Sequence, residues 1–105
     1  MERYQRIFKE SISLDQILDY CKRNNIDIGK KSIFIFEKRY KLEPKPKFRY
    51  QLTTDKGTLF LYQASTKNWY IVFDPIHLRV NTGDDLDVYV INSIKDLEKE
   101  INELN

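Results

Sequence analysis

The sequence has one cysteine, Cys21, and one histidine, His77. A lone cysteine cannot close an intramolecular disulfide or build a cysteine-rich zinc cluster, and a lone histidine removes every arrangement that needs two. Glycine is scarce as well. Gly29, Gly57 and Gly83 stand apart, and none opens a helix after a strand, so no glycine-rich loop is there to cradle a phosphate. Long apolar runs are missing: no stretch approaches the ~18–20 residues a helix needs to cross a bilayer. The opening Met1-Glu2-Arg3-Tyr4-Gln5-Arg6 leads into no signal-peptide core. These absences predict a soluble chain in a reducing cytoplasm, with no membrane partner, no cofactor and no metal.

What is present is a globular composition. Hydrophobic residues make up 41% and charged residues 32% of the 105, which is enough to fold and too short for two cores, so a single domain over residues 1–105 is expected. The formal charge of +2 hides an asymmetry. Met1–Tyr50 carries 13 Lys/Arg against 7 Asp/Glu, whereas Gln51–Asn105 carries 5 against 9. A dipole of this kind can orient a charged partner.

Local patterns give the element order. Ser13 followed by Gln16 is a capping-box spacing, and Leu14, Ile17, Leu18 and Cys21 recur at helical intervals, predicting a helix from Leu14 to about Asn24. Ser32-Ile33-Phe34-Ile35-Phe36, β-branched and aromatic, reads as a strand running to about Tyr40. Glu43-Pro44-Lys45-Pro46 reads as a stiff connection between strands. Thr54-Asp55-Lys56-Gly57 is a hairpin turn. Taken as a three-residue loop pairing Thr54 with Thr58, it sets Leu52 opposite Phe60 and Tyr50 opposite Tyr62. A four-residue loop, Ser65 to Asn68, would then pair Tyr62 with Ile71 and Phe60 with Phe73. In this register Phe48, Tyr50, Leu52, Phe60, Tyr62, Ala64, Trp69, Ile71 and Phe73 share the core face. A short strand over Ile76–Val80, a turn at Asn81–Asp85 and a strand over Leu86–Ile91 follow. Ser93 with Asp96 starts a closing helix with the stripe Ile94, Leu97, Ile101, Leu104. The expected fold is α+β: an antiparallel sheet of about five strands flanked by an N-terminal and a C-terminal helix on one face.

Catalytic constellations are hard to assemble. A Cys21/His77 dyad would need an accessible thiol, yet Cys21 falls on the apolar stripe of the first helix. Asp84, Asp85 and Asp87 beside Gly83 lack the alternating ligands of a calcium loop and read as a solvated turn. Glu43 and Lys45 sit on proline-restricted chain, and Asp74 has no second carboxylate near it in sequence. A metal-free RNase built from Tyr, Arg and Lys remains a third-ranked reading, because abundance of those residues supplies no motif.

Two surfaces carry the binding readings. The other face of the central strands presents Leu59, Leu61, Tyr70 and Val72, an apolar strip framed by Arg49, Gln51, Gln63 and Asp74. A strip of that kind needs a cover, whether the N-terminal Tyr4, Ile7 and Phe8, a protein partner or a second copy of the chain. The leading expectation is therefore a small non-catalytic binding protein that acts by occupying a protein partner, in the manner of an inhibitor, immunity factor or adaptor. The second surface is a basic sheet edge around residues 38–50. Lys38, Arg39, Lys41, Lys45, Lys47 and Arg49, interleaved with three aromatics, suit a nucleic-acid-binding module.

Overall fold

In the computed structural model, which describes residues 12–73 and 88–104, Ser13 caps the first helix reciprocally. Its hydroxyl accepts the Gln16 N–H at 3.2 Å while the Gln16 side chain accepts the Ser13 N–H at 2.8 Å. Two donors that the helix leaves unpaired are satisfied at once, and α1 runs over Leu14–Arg23. It ends where the Asn24 N–H reaches back to the Tyr20 and Cys21 carbonyls and Asn25 takes a left-handed φ of 56°. The buried face is Ile17, Tyr20 and Cys21. Leu18, expected on that stripe, is exposed instead, because a stripe centred on Ile17 and Cys21 has Tyr20 on one flank and Leu18 on the other, and the sheet lies on the Tyr20 side.

The sheet is an antiparallel meander in sequence order. Its strands are β1 Asp27–Lys31, β2 Pro46–Thr54, β3 Gly57–Ala64, β4 Trp69–Phe73 and β5 Val88–Ile91. Helix α2, Ile94–Asn102, follows, with the Ser93 hydroxyl accepting the Asp96 N–H at 3.3 Å. Both helices pack on one face of the sheet. Ile17, Tyr20 and Cys21 from α1 and Leu97 and Ile101 from α2 close over Tyr50, Leu52, Leu59, Leu61, Trp69, Ile71 and Ile91. The Trp69 indole N–H donates to the Ile12 carbonyl at 2.9 Å, pinning the residue before the Ser13 cap to the core.

Two expectations are corrected. The first strand lies at Asp27–Lys31, and the run Ser32–Tyr40 is not a strand: the chain leaves the sheet and makes a 3-10 turn over Ile35–Lys38. Strand-favouring side chains here serve as a cover, Phe34 and Leu42 packing on Tyr62 and Val72 of the face opposite the helices. The second correction is the register. Thr54 pairs with Gly57 across a two-residue turn, so Leu52 faces Leu59, Tyr50 faces Leu61, and Leu61 in turn faces Ile71. The turn is tied by Thr54, whose hydroxyl oxygen accepts the Lys56 and Gly57 N–H groups at 3.0 and 3.1 Å while Gly57 holds φ at +146°. At the far end of β3, Gln63 pairs with Trp69, and the intervening loop uses Lys67 at φ 70°. Each hairpin is displaced by one residue, so β3 alone is turned over, while β2 and β4 keep the faces expected of them.

Phe48 is a further departure. It lies just beyond the last β1 pair, Lys31 with Arg49, and beside an irregularity between Pro46 and Phe48. It is exposed there, with the Lys30 and Lys47 ammonium groups 5.4 and 5.5 Å from its ring centre. Among the described residues no helix is long and apolar enough to cross a membrane. The expected strand at Ile76–Val80, the turn at Asn81–Asp85, His77, the Asp84/Asp85/Asp87 cluster and Tyr4, Ile7 and Phe8 lie outside the described residues.

Candidate functional site

The four residues expected to form an outer apolar strip do not share a surface. Leu59 and Leu61 are fully buried under the helices, a direct result of the one-residue shift in β3. Val72 is fully buried on the opposite face, and Tyr70 is half-buried beside it, stacked on Tyr62 with ring centres 5.2 Å apart. What covers that face is the chain's own segment from Phe34 to Leu42.

The expected basic edge is also redistributed, because β2 lies between β1 and β3 and is not an edge strand. Arg49 is committed to Glu37, its Nε at 2.6 Å from Oε1 and its second guanidinium nitrogen at 3.1 Å from Oε2. Both side chains are largely buried. Lys41 pairs with Glu43 at 3.3 Å in an exposed contact, Lys47 sits over Phe48, and Lys45 is exposed on the loop before β2. Lys38 and Arg39 are different: they stand at the end of the 3-10 turn, where they line a groove.

That groove is the concave site these residues share. It encloses about 740 Å³ and opens to solvent along one side. Phe34, Phe36 and Phe60 make its floor, with ring centres 5.0 to 5.3 Å apart in stacked and edge-on contacts. Aromatic pairs at these distances hold their geometry beyond what area burial alone supplies. The lip is aliphatic: Ile33 is 48% and Ile35 89% exposed. Tyr40 and Gln51 add polar tips, and Lys31, Lys38 and Arg39 are the charged lining residues.

The wall is held from beneath. Glu37, between the groove residues Phe36 and Lys38, accepts the Phe34 N–H at 3.3 Å as well as both Arg49 contacts. The 3-10 turn is thereby tied to the second strand of the sheet. Sequence reasoning missed Lys31, Ile33, Ile35, Phe36 and Phe60 as site residues. The available signal was the absence of polar alternation from Ile33 to Phe36, which an outer strand with one wet face would show.

Among the described residues, the other reactive groups do not converge on the groove. Cys21 is buried under the helices, and burial pushes its thiol up to about 11, which keeps it a protonated, poor nucleophile. Tyr62 is fully buried, and its hydroxyl finds no hydrogen-bond partner among the described residues. Burial first, and then Tyr70, Glu43 and Glu37, hold its ionisation well above the ordinary tyrosine range. No group of three or more metal-capable side chains occurs among the described residues. Comparison with protein-family models, with curated proteins and with solved structures gives no significant match to this chain.

Proposed function

We propose that this chain is a non-catalytic binding protein that acts by occupying a protein partner, and that the partner seats in the groove between the 3-10 turn and the helix-free face of the sheet. The observation that carries this reading is the presentation of Ile33 and Ile35. Two large aliphatic side chains are held out to solvent, Ile33 just before and Ile35 at the start of a 3-10 turn that the Glu37–Arg49 ion pair anchors to the sheet. Their exposure gains the isolated fold nothing, whereas apolar groups ringed by polar ones are the anatomy of a protein interface. A groove next to them, floored by rings already packed, can receive an anchor side chain without rearrangement. Nucleic-acid binding is the second reading. It keeps Lys38 and Arg39, gains Lys31, and loses Arg49 to Glu37.

The test is site-specific photocrosslinking in the native host, with a photoreactive residue at position 35 and, as control, at position 18 on the exposed flank of α1. An adduct of defined mass from position 35 alone is expected, and Ile33→Asp should remove it without changing the melting temperature. An adduct of twice the chain's mass would make a second copy the occupant. The same products from both positions, or none from position 35, would overturn the reading.

A further inference from the structure

Among the described residues, every charged side chain lining the groove is positive. Lys31 arrives from the end of β1, and Lys38 and Arg39 from the end of the 3-10 turn. None of the three has an ion-pair partner among the described residues. The two carboxylates of the same stretch are already engaged, Glu37 by Arg49 and the Phe34 N–H, and Glu43 by Lys41. Among the described residues the acids of this stretch are thus paired, and Lys31, Lys38 and Arg39 are left without an ion pair around a low-dielectric aromatic floor, where a positive potential is focused rather than dispersed.

We infer that the occupant of this groove is an acidic segment of a partner protein, one that carries aliphatic or aromatic anchors between its carboxylates. This rests on the reading of the groove as a protein-binding site and adds the chemistry of what enters it. Charge complementarity calls for an anion, and the lining decides which kind. A single-stranded nucleic acid needs ring faces open for stacking, whereas Phe34 is buried and Phe36, Tyr40 and Phe60 are half-buried. The groups that do stand free, Ile33 and Ile35, are branched aliphatics that pack on side chains and offer no plane to a base. An acidic peptide with apolar anchors satisfies both halves of the site: its anchors meet the floor and lip, and its carboxylates meet the three cations.

The experiment uses the purified chain and four labelled probes in fluorescence anisotropy. They are a short peptide alternating leucine and phenylalanine with glutamate, its glutamine counterpart, its lysine counterpart, and oligouridylate. The acidic peptide should bind about tenfold tighter than the glutamine peptide, consistent with three exposed charge pairs of modest strength. That advantage should fade as salt is raised. The triple variant Lys31→Glu, Lys38→Glu, Arg39→Glu should invert the preference toward the lysine peptide. Because all three positions are exposed, its melting temperature should hold; if it does not, the salt dependence of the wild type decides. Equal affinity for the glutamate and glutamine peptides would overturn the charge inference while leaving a protein-binding groove. Tighter binding of oligouridylate would overturn both. Binding of no probe would overturn the acidic-segment inference, with the crosslinking at position 35 deciding the groove independently.

Discussion

Glu37 is the residue on which the groove depends. It accepts two bonds from the Arg49 guanidinium and one from the Phe34 N–H, and its side chain is only 14% exposed. A carboxylate taken that far out of water is tolerated because its partner is bidentate and almost as buried, and for the same reason removal of either partner leaves an uncompensated charge. Arg49→Ala is therefore expected to lower stability by about 3–5 kcal/mol, and Glu37→Ala by a similar amount. The double variant should lose much less than the sum, as chemical denaturation of all four proteins would show. If each single change removed under about 1 kcal/mol, the pair would behave as a surface contact and would not be what holds the 3-10 turn. Nothing near Glu37 in sequence announces this role. Arg49 is twelve residues away, and the two meet because the turn folds back onto β2.

At the scale of elements, the helices were legible and the pairing of the central strands was not. Helix caps are written within four residues, and both helix starts, the capping box at Ser13 and the serine cap at Ser93, are where that local chemistry puts them. Strand β3 carries no such local mark. Leu59 and Leu61 are fully buried on one face and Tyr62 on the other, with Phe60 half-buried. Alternation therefore shows no polar side, and a register that differs by one residue looks equally hydrophobic from the sequence. The Thr54 hydroxyl ties the observed turn, and the register it accompanies is the one that buries Leu59 and Leu61 under the helices. A crosslink reads this directly. In a Cys21→Ala background, Thr53→Cys with Thr58→Cys should oxidise readily to a disulfide, since these residues face one another across the hairpin. Thr54→Cys with Thr58→Cys should not, and the opposite result would restore the alternative register.

For the whole molecule, two layers of burial have a thermodynamic consequence at alkaline pH. Burial raises the Cys21 thiol to about 11, and it also raises Tyr20, Tyr50 and Tyr62 above their ordinary value. The unfolded chain then gives up these protons at lower pH than the native one, so stability is fully present below the unfolded thiol value near 9 and declines as pH rises toward 11. The denaturation midpoint should be level to about pH 8.5 and then fall, with a single group contributing at most about 1.4 kcal/mol per pH unit. Cys21→Ala should flatten the first part of that fall, and identical profiles for the two proteins would mean that the thiol is not shielded. The sequence by itself determined the α+β class, the two capped helices, the burial of Cys21 and the hairpins on either side of β3, because each follows from periodicity or from chemistry within a few residues. Only the tertiary structure decided which way β3 faces, that Ser32–Tyr40 covers the sheet instead of joining it, and that Arg49 is a clamp while Lys31, Lys38 and Arg39 have no ion-pair partner among the described residues. Those outcomes turn on contacts between residues distant in the chain, where two arrangements satisfy the local pattern equally well and packing against the rest of the molecule selects between them.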